Sequence, residues 1–257
     1  MKWLSQNYPQ VVELFLTHLA LSVPAIVASF LIAVPLGWSA QHGRGLRGPV
    51  LVGVGLLYAI PSLPLFIIVP VLIGTPLRSS STMIVVLTVY GVAVLVRSAA
   101  DAFASVPAAT LDAAAAVGHT RWSSFWRVEL PLAGPVLLAG VRVITVSTVS
   151  LVSVGAVIGI QSLGTLFTDG FQRGIRFEVV TGIVLIVALA VLLDGLVVLA
   201  GRLLMPWTRG GRAGRGGRAG RVGRGGRGAR VVRRGDDAPV LAEPRLAGAA
   251  QAEEGPR

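Results

Sequence analysis

Apolar residues in this chain gather in long unbroken runs, with charge confined to the gaps between them. Residues 14–43, 48–77, 79–96 and 143–168 contain no Asp, Glu, Lys or Arg, and residues 179–201 contain only Asp194. About 20 apolar residues suffice to cross the hydrocarbon core of a bilayer as a helix. Each run therefore predicts one span, and the chain is expected to be an all-α integral membrane protein with about five transmembrane helices. The first is placed at about Leu16 to Trp38, the third at Thr82 to Arg97, the fifth at Val179 to Leu204, and the fourth starts between Leu137 and Arg142. The second, about Pro49 to Ile73, is interrupted by Ile60-Pro61-Ser62-Leu63-Pro64. Two prolines remove amide donors there, and since neither half is long enough to cross alone, one bent span is expected. A cleaved signal peptide is an alternative for the first run, but its apolar part exceeds the usual core of roughly 7–15 residues and Glu13 precedes it.

Charge then sets the orientation. Arg44 and Arg47, Arg97, Arg121 and Arg127, and Arg202 and Arg209 flank the spans on one side, against Lys2, Arg78, Arg173 and Arg176 on the other. Positive-inside bias puts the first set in the cytoplasm, with the N-terminus outside and the C-terminus inside. Residues 1–207 form the expected transmembrane domain. From Thr208 to Arg257 the text becomes GGRAGRGGRAGRVGRGGRGARVVRRG and then an acidic, Pro- and Ala-containing end, too poor in apolar surface to offset the entropy of ordering. That tail holds most of the +11 net charge, since residues 202–257 carry thirteen Lys and Arg against five Asp and Glu. It contains no aromatic side chain to stack on bases, which disfavours nucleic acid as its partner; contact with anionic lipid, or a solvated tail that reinforces topology, fits better.

Composition agrees: 53% of residues are hydrophobic and 14% charged, where a soluble domain has about a quarter charged. The absence of cysteine excludes disulfides and thiolate metal sites. Lys2 is the sole lysine, so no GxxxxGK[ST] phosphate loop exists here, and any ATP must be bound by another polypeptide. His18, His42 and His119 lie in three separate segments, unlike the close spacing of metal motifs. No catalytic, cofactor or metal residue is expected on this chain.

Between the third and fourth runs, Pro107 precedes the near-continuous helix formers Ala108 to Val117, and Gly118 follows, predicting a short alanine-rich helix that ends there. A second short helix is expected over Arg121 to Val128, with Trp122, Phe125 and Trp126 on one face, lying in the membrane interface. The spacing Asp112-Ala113-Ala114, Gly118, then Val128-Glu129-Leu130-Pro131 resembles the cytoplasmic "EAA" signature of ABC importer permeases: E-A-A, three residues, G, nine residues, I, one residue, L-P. Asp112 stands where that family usually has Glu.

The resemblance extends over most of residues 13–205. His18-Leu19-Ala20-Leu21-Ser22, Pro35-Leu36-Gly37, Ile60-Pro61-Ser62-Leu63-Pro64-Leu65-Phe66, Leu95-Val96-Arg97-Ser98, Gly140-Val141-Arg142 and Ser162-Leu163-Gly164 look like the glycine betaine, carnitine, choline and proline permeases. Ser98 replaces a common Asn. Methionine or other amino-acid importer permeases are the nearest alternative. The resemblance implies a type I importer permease fold and a coupling helix within 107–131 that docks on a separate ATPase, which carries the ATP and Mg. It also implies a second permease chain, identical or related, and an external or lipoprotein substrate-binding protein. Asp112, Ala113, Ala114, Gly118, Val128, Leu130 and Pro131 are the residues it assigns to ATPase coupling.

Two charges fall inside spans. Arg142 and Asp194 are both expected to enter the bilayer from the cytoplasmic side, where each needs a partner, and they are candidates to face each other as a structural lock or an element of the translocation path. Thr145, Ser147, Thr148, Ser150 and Ser153 spread around the fourth helix without forming one stripe, which suggests close packing of small residues. The external segment Gly159 to Phe177 is positioned to meet a substrate-delivering protein, and also fits a plain loop. Two rivals need no Asp112–Gly118–Leu130-Pro131 spacing: a membrane anchor with a lipid- or nucleic-acid-binding tail, and a small channel working without ATP.

Overall fold

The computed structural model describes residues 2–43 and 45–209. The tail expected over 208–257 lies outside them apart from its first two residues. Among the described residues the chain is helical throughout, with no strand. The helices, numbered in chain order, are α1 (Lys2–His42), α2 (Arg47–Ala59), α3 (Ser62–Ile73), α4 (Ser80–Ala104), α5 (Ala108–Ala116), α6 (Arg121–Ser124), α7 (Leu130–Val154), α8 (Leu163–Arg173) and α9 (Arg176–Leu204).

Packing between helices gives the direction of each crossing. Along α1 and α4 the contacts rise together in number: Leu21 shares a core cluster with Met83 and Leu87, Ser29 Oγ donates to the Thr88 carbonyl at 3.2 Å, and Gly37 faces Ala99. The two helices therefore run parallel, and the chain must return between them. The pair α2–α3 makes that return. Arg47 at its start reaches Asp101 near the end of α4 at 3.5 Å, Tyr58 lies tilted against Tyr90 midway, and Thr75 just past its end bonds Thr82 at the start of α4. The expected single bent span is thus one crossing, but broken by 110°. Ile60 before Pro61 is extended, as a residue preceding proline prefers, and the ladder stops at Ala59.

The second half of the chain closes the bundle. α7 runs antiparallel to α4, with Gly140 against Leu95 and Ser98 and Gly155 against Met83; α9 runs antiparallel to α7, with Gly201 against Leu138 and Gly134 against Met205. Among the described residues the bundle therefore has five crossings, four single helices and the broken pair. One end carries His42, Ala104, α5, α6 and Leu204, and the other carries Ser80, α8 and Arg176.

Three boundaries differ from the sequence expectation. α1 has 41 residues, about 60 Å at 1.5 Å per residue, because Glu13 and the polar first turns continue the helix beyond the apolar run. The separate helix expected over Arg121 to Val128 is instead the beginning of the fourth crossing: α6 passes through a π turn, Phe125–Glu129, directly into α7. Pro131 has no N–H to give the ladder, and the chain widens just before it, with Leu130 N–H bonding Phe125 O. The fourth crossing consequently starts well ahead of the Leu137–Arg142 region. It ends in a 3-10 turn, Gly155–Ile158, just ahead of the external segment expected from Gly159. The apolar text beyond Gly159 belongs to α8, an amphipathic helix where a plain loop was an open alternative, held by a capping box between Ser162 and Thr165.

Candidate functional site

At the end shared by His42 and Ala104, α5 projects from the bundle. Pro107 precedes it in an extended conformation, and its C-terminus closes through bonds from Gly118 N–H to Ala115 O and His119 N–H to Ala114 O, with Gly118 at φ +90°. A Cβ on Gly118 would meet nothing within 4 Å, so glycine is needed there for the left-handed backbone and not for space. Of the nine residues of α5 only Ala114 is buried. Asp112 and Ala113 are exposed, Val117 beyond them is 77% exposed, and Asp112 forms no ion pair among the described residues.

The other members of the spaced pattern sit apart from this surface. Val128, Leu130 and Pro131 are half-buried at the root of the fourth crossing, where Leu130 packs on the cluster of Val34, Ala99, Phe103, Phe125, Ala133 and Leu137. The structure thus divides the motif into an exposed part, Asp112, Ala113 and Gly118, and an anchoring part, Val128, Leu130 and Pro131. The aromatics expected on one interfacial face divide likewise. Phe125 is buried against Trp38 and Phe103, while Trp122 and Trp126 are exposed. Phe125 and Glu129, four residues apart, share the buried face, and Trp122 and Trp126 fall outside it.

Glu129 is the residue that sequence reasoning missed. It is 3% exposed, and its Oε2 accepts a hydrogen bond from Trp38 Nε1 at 2.9 Å and lies 3.2 Å from His42 Nε2. Both partners belong to the last turns of α1, so one buried carboxylate ties α1 to the root of the projecting segment. Its single advance signal was a charge between apolar Val128 and Leu130.

The three histidines are far apart, as their spacing implies. His18 is buried with Nε2 3.0 Å from the Val149 carbonyl, joining α1 to α7; His42 lies by Glu129; His119 Nδ1 is 2.8 Å from Ser123 Oγ. Among the described residues no three His, Cys, Asp or Glu side chains are grouped to hold a metal.

On an exposed face midway along α7, Arg142 Nε donates to Asp194 Oδ1 at 2.7 Å and Nη2 to Oδ2 at 2.8 Å, a forked pair joining α7 to α9. The sequence placed both near the cytoplasmic side. With α7 starting at Leu130, Arg142 is instead at the middle of that helix, twelve residues from either end, about 18 Å along the axis. Its side chain is 49% exposed and that of Asp194 23%. A charge at mid-helix depth is expensive in hydrocarbon, and the forked pairing gives each of these two a partner. The hydroxyls of the fourth crossing are scattered: Thr145 and Thr148 are buried, Thr145 bonds back to Val141 O, and Ser150 is exposed.

Comparison with known proteins places this geometry. Residues 29–208 match the model of the binding-protein-dependent transport system inner membrane component family. The chain is 31% identical to the osmoprotectant import permease protein OsmW of Salmonella typhimurium, over 76% of this chain and 91% of that one. It is 28% identical to the glycine betaine/carnitine/choline transport system permease protein OpuCD of Bacillus subtilis, over 65% of this chain and 71% of that one. Among solved structures, inward-facing MetNI methionine ABC transporter superposes with a TM-score of 0.65 at 23% identity, covering 78% of this chain and 97% of that one. The bundle thus has the fold of a type I ABC importer permease, and the chain belongs to the binding-protein-dependent transport system inner membrane component family, the multi-pass membrane subunits of ABC importers.

Proposed function

We propose that this chain forms, with a second identical or related permease, the membrane path of an ATP-driven importer for a small compatible solute of the glycine betaine, choline, carnitine and proline class. Residues 1–207 are the transmembrane domain and 208–257 a cytoplasmic tail dispensable for transport. The end bearing α5 faces the cytoplasm, where Arg44, Arg47, Arg97, Arg121 and Arg127 gather, and the opposite end faces a substrate-binding protein.

The observation that carries this reading is the projecting α5. It presents an exposed alanine surface flanked by Asp112 and closed by a left-handed Gly118, a shape that fits into a groove of a separate ATPase. Asp112 supplies that partner with a charge, and a desolvated charge-assisted bond contributes about 1.5–3 kcal/mol. ATP binding closes the ATPase dimer, α5 follows, and the anchoring residues Val128, Leu130 and Pro131 pass the movement to the fourth crossing. The cavity between two permeases then changes the side to which it opens. The names of the relatives support the solute class, while the MetNI likeness keeps methionine in the panel of substrates to be tested.

The test substitutes Asp112→Lys and Gly118→Glu in cells expressing the importer. Both variants are expected to insert normally and to lose ATPase retention on purification or uptake of labelled betaine, choline, carnitine and proline. Normal retention and uptake in both variants overturns the coupling assignment. Uptake of methionine alone by the unmodified importer replaces the solute class.

A further inference from the structure

At the end of the bundle opposite α5, the 3-10 turn Gly155–Ile158 and the helix α8 enclose a cleft of about 510 Å³, within the size range of small-molecule sites. Its chemistry is mixed. Gln161, Thr165, Asp169 and Gln172 line it with amides, a hydroxyl and a carboxylate, and Phe167 and Phe171 add two aromatic rings. These rings lie one helical turn apart with centroids 6.5 Å apart and planes inclined by 19°. They remain 45% and 76% exposed. A larger cavity, about 620 Å³ among α1, α7 and α9, contrasts with it: its walls carry no charged and no hydroxyl side chain, as suits lipid tails.

Charge is divided across the cleft. Asp169 is on the α8 wall, its carboxylate 3.0 Å from Arg173, a residue that is not itself part of the lining. That pair is exposed and i,i+4, so it holds Asp169 in place weakly. Beside the turn, and like Arg173 not itself part of the lining, the Arg78 guanidinium lies against Gly159, with Nε 3.2 Å from where a Cβ would lie. Arg78 forms no ion pair among the described residues. Gly159 has φ +89° and leaves the arginine room to approach the cleft.

We infer that this cleft is a permease-side subsite for a small zwitterion that carries a quaternary ammonium at one end and a carboxylate at the other. The ammonium lies on the faces of Phe167 and Phe171, where a cation within about 6 Å of a ring centroid is attracted by the ring quadrupole and needs no hydrogen-bond acceptor. Asp169 adds its charge, and the carboxylate end turns toward Arg78 and the amides of Gln161 and Gln172. The proposal rests on the importer reading in one respect, that this end of the bundle receives solute from outside.

The full chain in lipid nanodiscs is probed by saturation-transfer NMR on the N-methyl protons of glycine betaine and of choline, with the neutral tert-butyl isostere of choline as competitor. Glycine betaine is expected to receive saturation from the unmodified protein and not to be displaced by the neutral isostere. Phe171→Leu, which keeps an apolar surface but no ring, is expected to lower transfer to betaine and choline roughly fivefold, and Phe171→Tyr to retain it. Arg78→Gln is expected to weaken betaine but not choline. Absence of transfer in the unmodified protein, displacement by the isostere, or full transfer in Phe171→Leu overturns the subsite and leaves the ring pair as an apolar contact with another chain. Uptake separates the two proposals. Betaine uptake without transfer to the permease refutes the subsite alone, and transfer that follows this pattern without uptake of any quaternary ammonium by the assembled importer refutes the solute class alone.

Discussion

The helices α4 and α9 are both long apolar crossings, yet they occupy opposite environments. Half of the apolar stretch of α4 is buried within the chain, against 11% of that of α9, although α9 is the more apolar of the two. Their glycine contacts show why. A Cβ on Gly37 of α1 would lie 2.5 Å from Ala99 Cβ and 2.8 Å from Ala100 N, so α1 and α4 meet backbone to backbone through Gly and Ala. A Cβ on Gly195 of α9 would meet nothing within 4 Å. In a bilayer, apolarity decides only that a helix is solvated by lipid tails, while small residues decide which helices touch. α4 is the hub because it can be approached closely, and the outer face of α9 is left for lipid or a neighbouring chain.

The largest effect expected from breaking this contrast is that of Gly37→Val. Its side chain has no flexible neighbour to displace, and the overpacking is expected to cost about 3 kcal/mol or more, seen as loss of monodisperse protein on detergent size-exclusion chromatography. Glu129→Ala comes next. It strips Trp38 Nε1 of its buried acceptor and removes the partner of His42, at a cost of about 1–3 kcal/mol, and is expected to lower the melting temperature and to uncouple ATP hydrolysis from uptake; Glu129→Gln, which keeps an acceptor, is expected to recover most of both. A smaller, reciprocal effect is expected at Arg142 and Asp194. Each single neutralisation lowers uptake by leaving one charge without its partner, and the exchanged pair Arg142→Asp with Asp194→Arg recovers part of it, as a double-mutant cycle measures. The smallest effect belongs to Gly195→Ala. If that face meets only lipid, the helix gains about 0.5–1 kcal/mol and uptake is unchanged; a loss of dimer on crosslinking marks it instead as a contact between chains.

How far each region could be read from the sequence follows from the range of the forces that shape it. The spans were legible because an uncharged run of this length reports its solvent directly. α5 was legible because Pro107, the alanines and Gly118 are local signals for the start, body and end of a helix, and Gly118 takes a left-handed φ. The π turn was not, since widening the helix at Phe125–Glu129 is settled by Pro131 together with the packing of Phe125 on Trp38 and Phe103, and a helical wheel assumes a constant period. The helix α8 was hidden for a related reason: Ser162 and Thr165 cap it locally, but its fit depends on Gly164 lying against the Ser153 backbone and Gly170 against α9.

The sequence by itself determined the solvent of each segment, the number of crossings, the lack of a phosphate loop and the spaced pattern that marks an importer permease, because each is encoded in composition or in residues close along the chain. Only the tertiary structure decided that α1 and α4 run side by side in parallel, and that the α2–α3 pair is broken by 110°. It alone set Arg142 at mid-helix, fastened Glu129 to α1 and brought Phe171 to the cleft whose Gly159 Arg78 touches. Those pairings join residues from tens of positions to nearly a hundred apart, and apolar segments of similar character do not specify which of their faces will meet until shape, small residues and the need to partner each buried charge select among them.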